Sequence, residues 1–275
     1  MALSDREARG RAVRERVMVG ANGVTSNGAF LALIAGLGVL AAWSAVSYVK
    51  VVPDYVFPSP WAVGQGFIGD IRSGRLFNDL IVSFYRVTLG FLLAVFLGVP
   101  LGLWLGRSSF ARAGLLPLVN FFRNLSPLAW IPFAILWFGI GDAPAIFLIF
   151  MATFFPLVLA VIGAVANIPV VYFRVAHEYG FHGTRLLFHV MLPAILPQLI
   201  TALRVTAGLA WLVVVAAEMI AGRDGLGFAI WDARNGLQID LLVCRMITIG
   251  LIGVAIDWLL RQLTKIPGVR WGYER

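Results

Sequence analysis

The stretch HEYGFHGTRLLFHVMLPAILPQL, residues 177–199, decides how this chain is organised, because it separates two long apolar runs. It contains all three histidines, two glycines, an arginine and two prolines that lie four residues apart. Immediately around its start, Val171, Val175 and Tyr179 recur at a spacing of four, which is typical of one face of a helix. The pattern predicts a short helix that ends inside the stretch.

Glycines and prolines mark the expected turn and exit. Gly180 is predicted to end the first helix and Gly183 to aid the turn, and a second helix is expected to begin near Thr184. Pro193 and Pro197 mark the return to an apolar run. A short helix-turn-helix at a membrane surface is suited to a partner's groove. An ordinary amphipathic loop at the membrane interface is the alternative.

Metal binding by the histidines is not expected. His177 and His182 are five residues apart, so on one continuous helix they would point to different sides. The single Cys244 excludes a disulfide framework within the chain, and no Cys/His spacing is typical of zinc. We therefore predict no metal site.

The composition is that of a membrane protein. The chain has 275 residues, of which 60% are hydrophobic and 13% charged. A soluble domain has about 45–50% apolar and about 25% charged residues. Several apolar runs also exceed the roughly 18 residues that span a bilayer. The net charge of +8 fits arginines and lysines that hold loops in the cytoplasm better than it fits nucleic-acid binding.

Six apolar segments predict an all-α integral membrane protein with six transmembrane helices. They lie at residues 29–49, 78–106, 113–139, 144–166, 194–221 and 239–263. Pro117, Pro127 and Pro132 interrupt the third segment, which also contains Arg123 and Asn124. Because proline removes a helical hydrogen bond, this span is predicted to be kinked.

Lysine and arginine counts predict the orientation. With the N-terminus inside, 13 of these residues fall on the cytoplasmic side and five outside. The sequence thus predicts cytoplasmic tails at 1–28 and 266–275, a membrane domain at 29–265 and a cytoplasmic loop at 167–193. Residues 51–63 would be external, and their prolines predict no regular helix there.

Charged residues inside the spans are the candidate functional groups. The basic ones are Arg86, Arg123, Arg204 and Arg245, and the acidic ones are Glu218 and Asp257. A charge in hydrocarbon costs at least about 2.5–3.5 kcal/mol, so such groups face a bundle interior or a water path. They predict either a net-positive pathway for an anion, or structural pairing between helices. The predicted path residues are Arg123, Asn124, Arg204 and Glu218.

The cytoplasmic loop resembles that of permease subunits of ATP-binding-cassette (ABC) importers, which has the form E-A-A-x3-G-x9-I-x-L-P. Here Arg174-Val175-Ala176 is followed after three residues by Gly180, and nine residues later by Val190-Met191-Leu192-Pro193. The glycine, leucine and proline fall in place, whereas Arg174 replaces the glutamate. Glu178, one turn further on, is positioned to pair with Arg174.

Longer blocks resemble the nitrate/sulfonate/bicarbonate (taurine) branch of these permeases. They are FPSPWAV (57–63), SFYRVTLGFLLAVFLGVPLGLWLG (83–106), SPLAWIPFAILWFGIGDAPAIF (126–147) and AEMIAGRDGLGFAIWDARN (217–235). The resemblance implies the type I importer fold in a bacterial inner membrane, with a coupling helix between helices 4 and 5. It also implies a homodimer of permeases, two cytoplasmic ATPase subunits and an external binding protein. ATP and Mg would bind the ATPase.

The resemblance places the contact with the ATPase in the loop. The implied coupling residues are Arg174, Ala176, Glu178, Tyr179, Gly180, Gly183, Thr184, Leu192 and Pro193. The chain has no G-x-x-x-x-G-K-[ST] phosphate loop and no arrangement of catalytic side chains, so it is not expected to be an enzyme. Gly225-Leu226-Gly227 is predicted to be an external turn beside Glu218.

One rival function remains at the level of sequence. A self-powered secondary transporter or channel would use Glu218 and Asp257 as its protonatable groups. Such a protein would not need the loop at 174–193. The resemblance favours an ATP-driven importer of a small anion, such as taurine or another sulfonate, nitrate or bicarbonate.

Overall fold

The computed structural model describes residues 30–49, 53 and 56–263, and these residues form helices and turns with no β-strand. The prediction of an all-α chain is confirmed for this part. The predicted tails at 1–28 and 266–275 lie outside the described residues. The chain divides into two compact units, residues 1–64 and 65–275.

The helices follow one another with short connections. They are α1 (Phe30–Tyr48), α2 (Pro60–Arg72), α3 (Arg75–Arg107), α4 (Ser109–Asn124), a 3-10 turn (Pro127–Trp130), α5 (Ile131–Phe138), α6 (Asp142–Ala166), α7 (Val170–Glu178), α8 (Gly183–Leu186), a π-helical turn (Leu187–Met191), α9 (Leu192–Ala221), α10 (Leu226–Asn235) and α11 (Ile239–Leu263).

Five helical runs in the described ranges are long and apolar enough to cross a membrane. They are Phe30–Tyr48, Arg75–Arg107, Asp142–Ala166, Gly183–Ala221 and Ile239–Gln262. They correspond to five of the six predicted segments. The fourth run begins at Gly183 rather than at residue 194, because α8 continues through the π-helical turn into α9. Pro193 lies in the first turn of α9, where a missing N–H removes no α-helical hydrogen bond of that helix.

The remaining predicted segment, 113–139, is broken rather than merely kinked. Its first part is α4, which ends at Asn124 although Pro117 lies inside it. Pro127 then opens the 3-10 turn, and α5 follows with Pro132 in its first turn. The prolines therefore divide the segment into two helices, neither of which spans a bilayer by length alone.

Two short helices were not predicted. The expectation that residues 51–63 contain no regular helix was wrong, because α2 begins at Pro60. Proline is well accommodated in a first helical turn, and the Ser59 hydroxyl accepts the Ala62 N–H at 3.2 Å. Helix α10 begins at Leu226, inside the predicted turn Gly225-Leu226-Gly227.

The N-terminal unit contains α1, whose side chains are almost all exposed and apolar, as expected of a helix that faces lipid or another protein. Trp43 contacts the segment that follows this helix. Its indole N–H donates to the Pro58 carbonyl at 3.0 Å, and its ring lies edge-on to Phe57.

Helices α3 and α6 pack backbone to backbone through small residues. Gly90, Ala94, Gly98, Gly102 and Gly106 recur every four residues along α3. A Cβ on Gly102 would lie 2.6 Å from the Cβ of Val161, so only glycine fits there. Small residues at this spacing are how membrane helices approach closely.

Helix α6 is central in the second unit, between α3 and α9. Its buried side chains include Ile149, Leu157 and Val161, which contribute to two of the apolar clusters. The cluster around Leu157 extends to Ala176 of α7 and Leu186 of α8. The predicted loop is therefore held firmly against the helical core.

Candidate functional site

The α7–α8 segment turns at Gly180. The Phe181 N–H donates to the Ala176 carbonyl at 2.8 Å and the Gly180 N–H to the His177 carbonyl at 3.0 Å. Gly180 has a φ of +72°, the left-handed conformation that this helix ending requires. Phe181 packs against the core cluster. The predicted helix end and the start of a second helix near Thr184 are thus confirmed.

Helix α7 has one buried side and one exposed apolar side. Ala176 is buried in the core cluster. On the other side Val171, Val175 and Tyr179 are exposed, Tyr179 to 77%. An exposed apolar stripe beside a buried anchor is a typical docking surface.

The other predicted coupling residues border this stripe. Arg174 and Glu178 are both exposed, and no ion pair joins them in the part of the chain that the structure describes. Gly183, Thr184 and Pro193 are also exposed, whereas Leu192 packs against the core cluster. The expected Arg174–Glu178 pair does not form, and both charges are available to a partner.

The histidine geometry differs from the sequence argument. The rings of His177 and His182 lie 5.0 Å apart, because the chain reverses at Gly180 between them. The premise that they point to different sides of one helix was wrong. Residues 56–263 nevertheless contain no group of three or more His, Cys, Asp or Glu side chains placed to hold a metal.

A second constellation surrounds Arg86, which is 1% exposed in the middle of α3. Its Nε donates to Asp142 at 2.7 Å and its Nη1 to Glu218 at 2.9 Å. The same guanidinium binds the carbonyl oxygen of Asp224 at 2.8 Å and also pairs with the Asp224 carboxylate. One side chain of α3 therefore joins the start of α6, the end of α9 and the loop before α10.

Glu218, which is fully buried, has two further hydrogen-bond partners besides Arg86. The Ser83 hydroxyl lies 2.8 and 2.9 Å from its two oxygens, and the Gly227 N–H donates to it at 2.9 Å. The Leu226 N–H donates in turn to Ser83 at 2.9 Å. Gly225, with a φ of +97°, turns the chain beside the carboxylate, whereas Leu226 and Gly227, also predicted to lie in this turn, belong to α10.

The other two paired arginines have different roles in packing. Arg245 is buried and binds both carboxylate oxygens of Asp70 at 3.1 Å, and it also donates to the Ala229 carbonyl. Arg204 pairs with Asp257 at 2.7 Å, and Arg261 pairs with the same carboxylate at 2.9 Å. These contacts join α2, α10 and α11 in the first case and α9 and α11 in the second.

Arg123 and Asn124 behave differently. Both are exposed at the end of α4, and Arg123 has no ion-pair or hydrogen-bond partner for its side chain among residues 56–263. Of the four arginines that the sequence places inside spans, three are bound by carboxylates and Arg123 is not. The path residues predicted from sequence are thus not brought together in one cluster.

The sequence of the chain matches a known family. A profile described as the binding-protein-dependent transport system inner membrane component matches residues 98–266, from within α3 past the end of α11. The chain belongs to this family of importer permeases. The recognition made from the sequence is confirmed.

The permease is similar to proteins of the same branch. It is 32% identical to the taurine transport system permease protein TauC of Escherichia coli (strain K12), over 82% of this chain and 84% of that protein. It is 34% identical to the nitrate import permease protein NrtB of a Synechocystis strain, over 65% of each chain.

The fold is also found among solved structures. A chain of the MetNI methionine ABC transporter, in an inward-facing conformation, matches the permease with a TM-score of 0.56 at 22% identity. The match covers 71% of the permease and 99% of that chain. The permease therefore has the helical fold of an ABC transporter.

Family membership decides between the two functions that the sequence left open. The permease is the membrane subunit of an ABC importer in the inner membrane, not a self-powered transporter. The two acids that the rival function would use, Glu218 and Asp257, are both held in ion pairs.

Proposed function

We propose that the permease imports a small anion and that its α7–α8 segment is the contact with a cytoplasmic ATPase. The observation that carries the second part is the exposed stripe of Val171, Val175 and Tyr179 on a helix anchored through Ala176. The assembly would contain two permease copies, two ATPase subunits that bind ATP and Mg, and an external binding protein. It would have six spans per permease, with α4 and α5 together forming the third.

The anchoring suits force transmission. Because Ala176, Leu186 and Met191 share one cluster with residues of α6 and α9, α7 is held to two of the long helices. A push on α7 by closing ATPase subunits would therefore move α6 and α9 rather than bend the loop. We infer that ATP binding opens the path outward in this way and that hydrolysis returns it to the cytoplasmic side.

The charge distribution supports the orientation that this mechanism needs. The excess of lysine and arginine favours an orientation with both termini and the 167–193 loop in the cytoplasm, where an ATPase subunit would bind. The Arg86 cluster would then lie toward the outer side of the membrane.

Val175→Asp and Tyr179→Asp are expected to weaken attachment of the ATPase subunit at least about tenfold, because each buries a charge at the centre of an apolar contact. The measurement is the amount of ATPase subunit that co-purifies with the permease in mild detergent. Leu237→Asp is the matched control, since Leu237 is 82% exposed but lies in the turn between α10 and α11. Equal co-purification in all three variants would contradict the docking role.

The proposal that the substrate is an anion rests on the positive charge of Arg123 and on the ligands for which the relatives are named. TauC is named for taurine and NrtB for nitrate, and both ligands carry a negatively charged oxyanion group. Arg123 supplies a positive charge with no carboxylate partner in residues 56–263. Asn124 beside it adds a polar amide. We also propose that Arg204 and Glu218 border the path. Their charges are paired with residues of neighbouring helices.

Uptake measurements with the complete importer test the substrate class. We expect ATP-dependent uptake of at least one of radiolabelled taurine, nitrate and bicarbonate, and a fall of about tenfold or more in Arg123→Ala, the loss of one charge-assisted contact. Arg75→Ala, which removes an exposed arginine of α3, is the control and should retain uptake. Uptake of a neutral or cationic solute that is insensitive to Arg123→Ala would overturn the proposal.

A further inference from the structure

One face of α4 carries an open, mostly apolar groove that contains three polar side chains. Ser109, Arg112, Leu116, Pro117 and Asn120 line it together with Ala113, and its volume is about 400 Å³. These positions recur at steps of three or four residues, so they lie on one side of the helix. Arg123 follows Asn120 by three residues and continues the same face. The side chains that line this face, from Ser109 to Arg123, are here called the α4 groove.

The core-facing side of α4 lies next to the groove. Val119 is buried there, and Ala111 and Leu115, together with the groove residue Leu116, pack against the cluster of Leu105 and Val158 from α3 and α6. Phe122 stacks on Phe155 of α6 at a centroid distance of 5.2 Å. This apolar side fixes the rotation of α4 and thereby directs its polar side away from the helical core.

The two arginines on this face differ from the paired arginines of the long helices. Arg86, Arg204 and Arg245 are each bound by a carboxylate, whereas Arg112 and Arg123 have no side-chain partner in residues 56–263. Arg123 lies within the predicted span at 113–139, where an unpaired guanidinium facing lipid would cost at least about 2.5–3.5 kcal/mol near the bilayer centre, whereas Arg112 lies just before that span. The groove is therefore better suited to water and an anion than to lipid.

We propose that the α4 groove is the inward exit route of the permease and that it binds a small oxyanion at Arg112 and at Arg123. The proposal rests on the proposed import of an anion and names the residues that guide it. Eleven residues separate the two arginines, which is about 16 Å along a helix. An anion can thus be held at Arg123 and then at Arg112, closer to the cytoplasmic end.

The donors in the groove fit this ligand. A guanidinium offers a fork of N–H groups that matches sulfonate, nitrate or carboxylate oxygens. The amide of Asn120 lies between the two arginines, and the hydroxyl of Ser109 lies beyond Arg112. Leu116 and Pro117 make the middle of the groove apolar, so an anion is not held there and can move on.

Cysteine labelling tests the groove directly. Asn120→Cys would be made in the permease complexed with its ATPase subunits, in inside-out membrane vesicles. The probes are a negatively charged sulfonatoethyl and a positively charged trimethylammonium-ethyl methanethiosulfonate, with rates normalised to those of free cysteine. The native Cys244 is 1% exposed and gives the background. Leu118→Cys is the control, because Leu118 is 52% exposed on another side of α4.

At position 120 the anionic reagent is expected to react at least about tenfold faster than the cationic one, because positive groups concentrate anions. Arg112→Gln and Arg123→Gln should each lower this preference several-fold, whereas Arg112→Lys and Arg123→Lys should retain most of it. A retained preference with lysine separates charge from a packing role of the guanidinium. Labelling at 118 should be slow with both reagents.

Equal rates for the two reagents at position 120, a preference that survives both glutamine variants, or no labelling at all would overturn the proposal. Labelling at position 118 with the same rates and the same anion preference as at position 120 would also overturn it, because the groove would then not differ from another side of α4. The result does not depend on uptake or on knowing the substrate. Absence of anion uptake with the labelling preference intact would therefore count against the proposed function and not against the groove.

Discussion

Arg86→Ala is expected to lower the free energy of unfolding of the permease by about 3–5 kcal/mol, because it leaves a buried carboxylate without its counter-charge. Arg86 is 1% exposed and Glu218 is fully buried, and their closest atoms are 2.9 Å apart. The variant also removes the donors to Asp142 and Asp224. Three separate connections between α3 and the rest of the second unit are lost together.

The measurement is the thermal midpoint of the purified protein in detergent, which should fall by on the order of 10 °C. Arg75→Ala is the matched control on the same helix. Arg75 and Asp232 are 2.6 Å apart but 46% and 44% exposed, so their pair is worth less than about 1 kcal/mol. Equal midpoints for the two variants would show that the cluster does not stabilise the fold.

A double variant separates charge from packing. Arg86→Met with Glu218→Gln removes both charges and keeps apolar volume and the amide hydrogen bonds. If the loss in Arg86→Ala comes from an unpaired carboxylate, the double variant should recover a large part of it. A double variant as unstable as Arg86→Ala would instead assign the loss to Asp142 and Asp224.

Apolar run length allowed most of the long helices to be predicted from sequence. Hydrophobicity over about 20 residues is a strong local signal, so α3, α6 and α11 were expected close to their observed positions. Helices α2 and α10 carry no such signal. Each is short and contains charged residues, and each makes contacts with helices distant in sequence, such as those of Asp70 with Arg245 and of Asp232 with Arg75.

The charged residues were predicted better than their partners. That a buried arginine must be paired or face water follows from its desolvation cost alone. Which carboxylate pairs with it depends on the fold, since Arg86 and Asp142 are 56 residues apart and Arg245 and Asp70 are 175 apart.

The distinction between a path residue and a structural residue also required the structure. In the sequence, Arg123 and Arg204 are alike, each a lone arginine in an apolar segment. In the structure Arg204 pairs with Asp257 of α11, and Arg123 has no such neighbour in residues 56–263. The reason is that α4 packs one side against α6 and leaves the other side uncovered. The prolines of the third apolar segment predict a kink but not which side of the helix is covered.

Gly227→Ala is expected to destabilise the permease by about 3 kcal/mol, at the upper end of the cost of overpacking. A Cβ at this position would lie 2.3 Å from the Val215 carbonyl oxygen and 2.9 Å from the Cβ of Glu218. The carbonyl belongs to the backbone of α9 and cannot turn aside as a side chain can. Helix α10 would have to move away from α9, which also breaks the bond from the Gly227 N–H to Glu218.

Gly208→Ala is the matched control, because Gly208 lies within α9 and a Cβ there would meet nothing within 4 Å. It should leave the thermal midpoint unchanged or raise it slightly, since alanine favours a helix by about 1 kcal/mol over glycine. The expected order of midpoints is therefore Gly208→Ala at or above wild type, and Gly227→Ala well below.

If the midpoint of Gly227→Ala matched that of wild type, α10 could move away from α9 at little cost, and the ion cluster beside it would not hold these helix ends rigidly together. A low midpoint would instead mean that α9 and α10 are held tightly together beside the ion cluster.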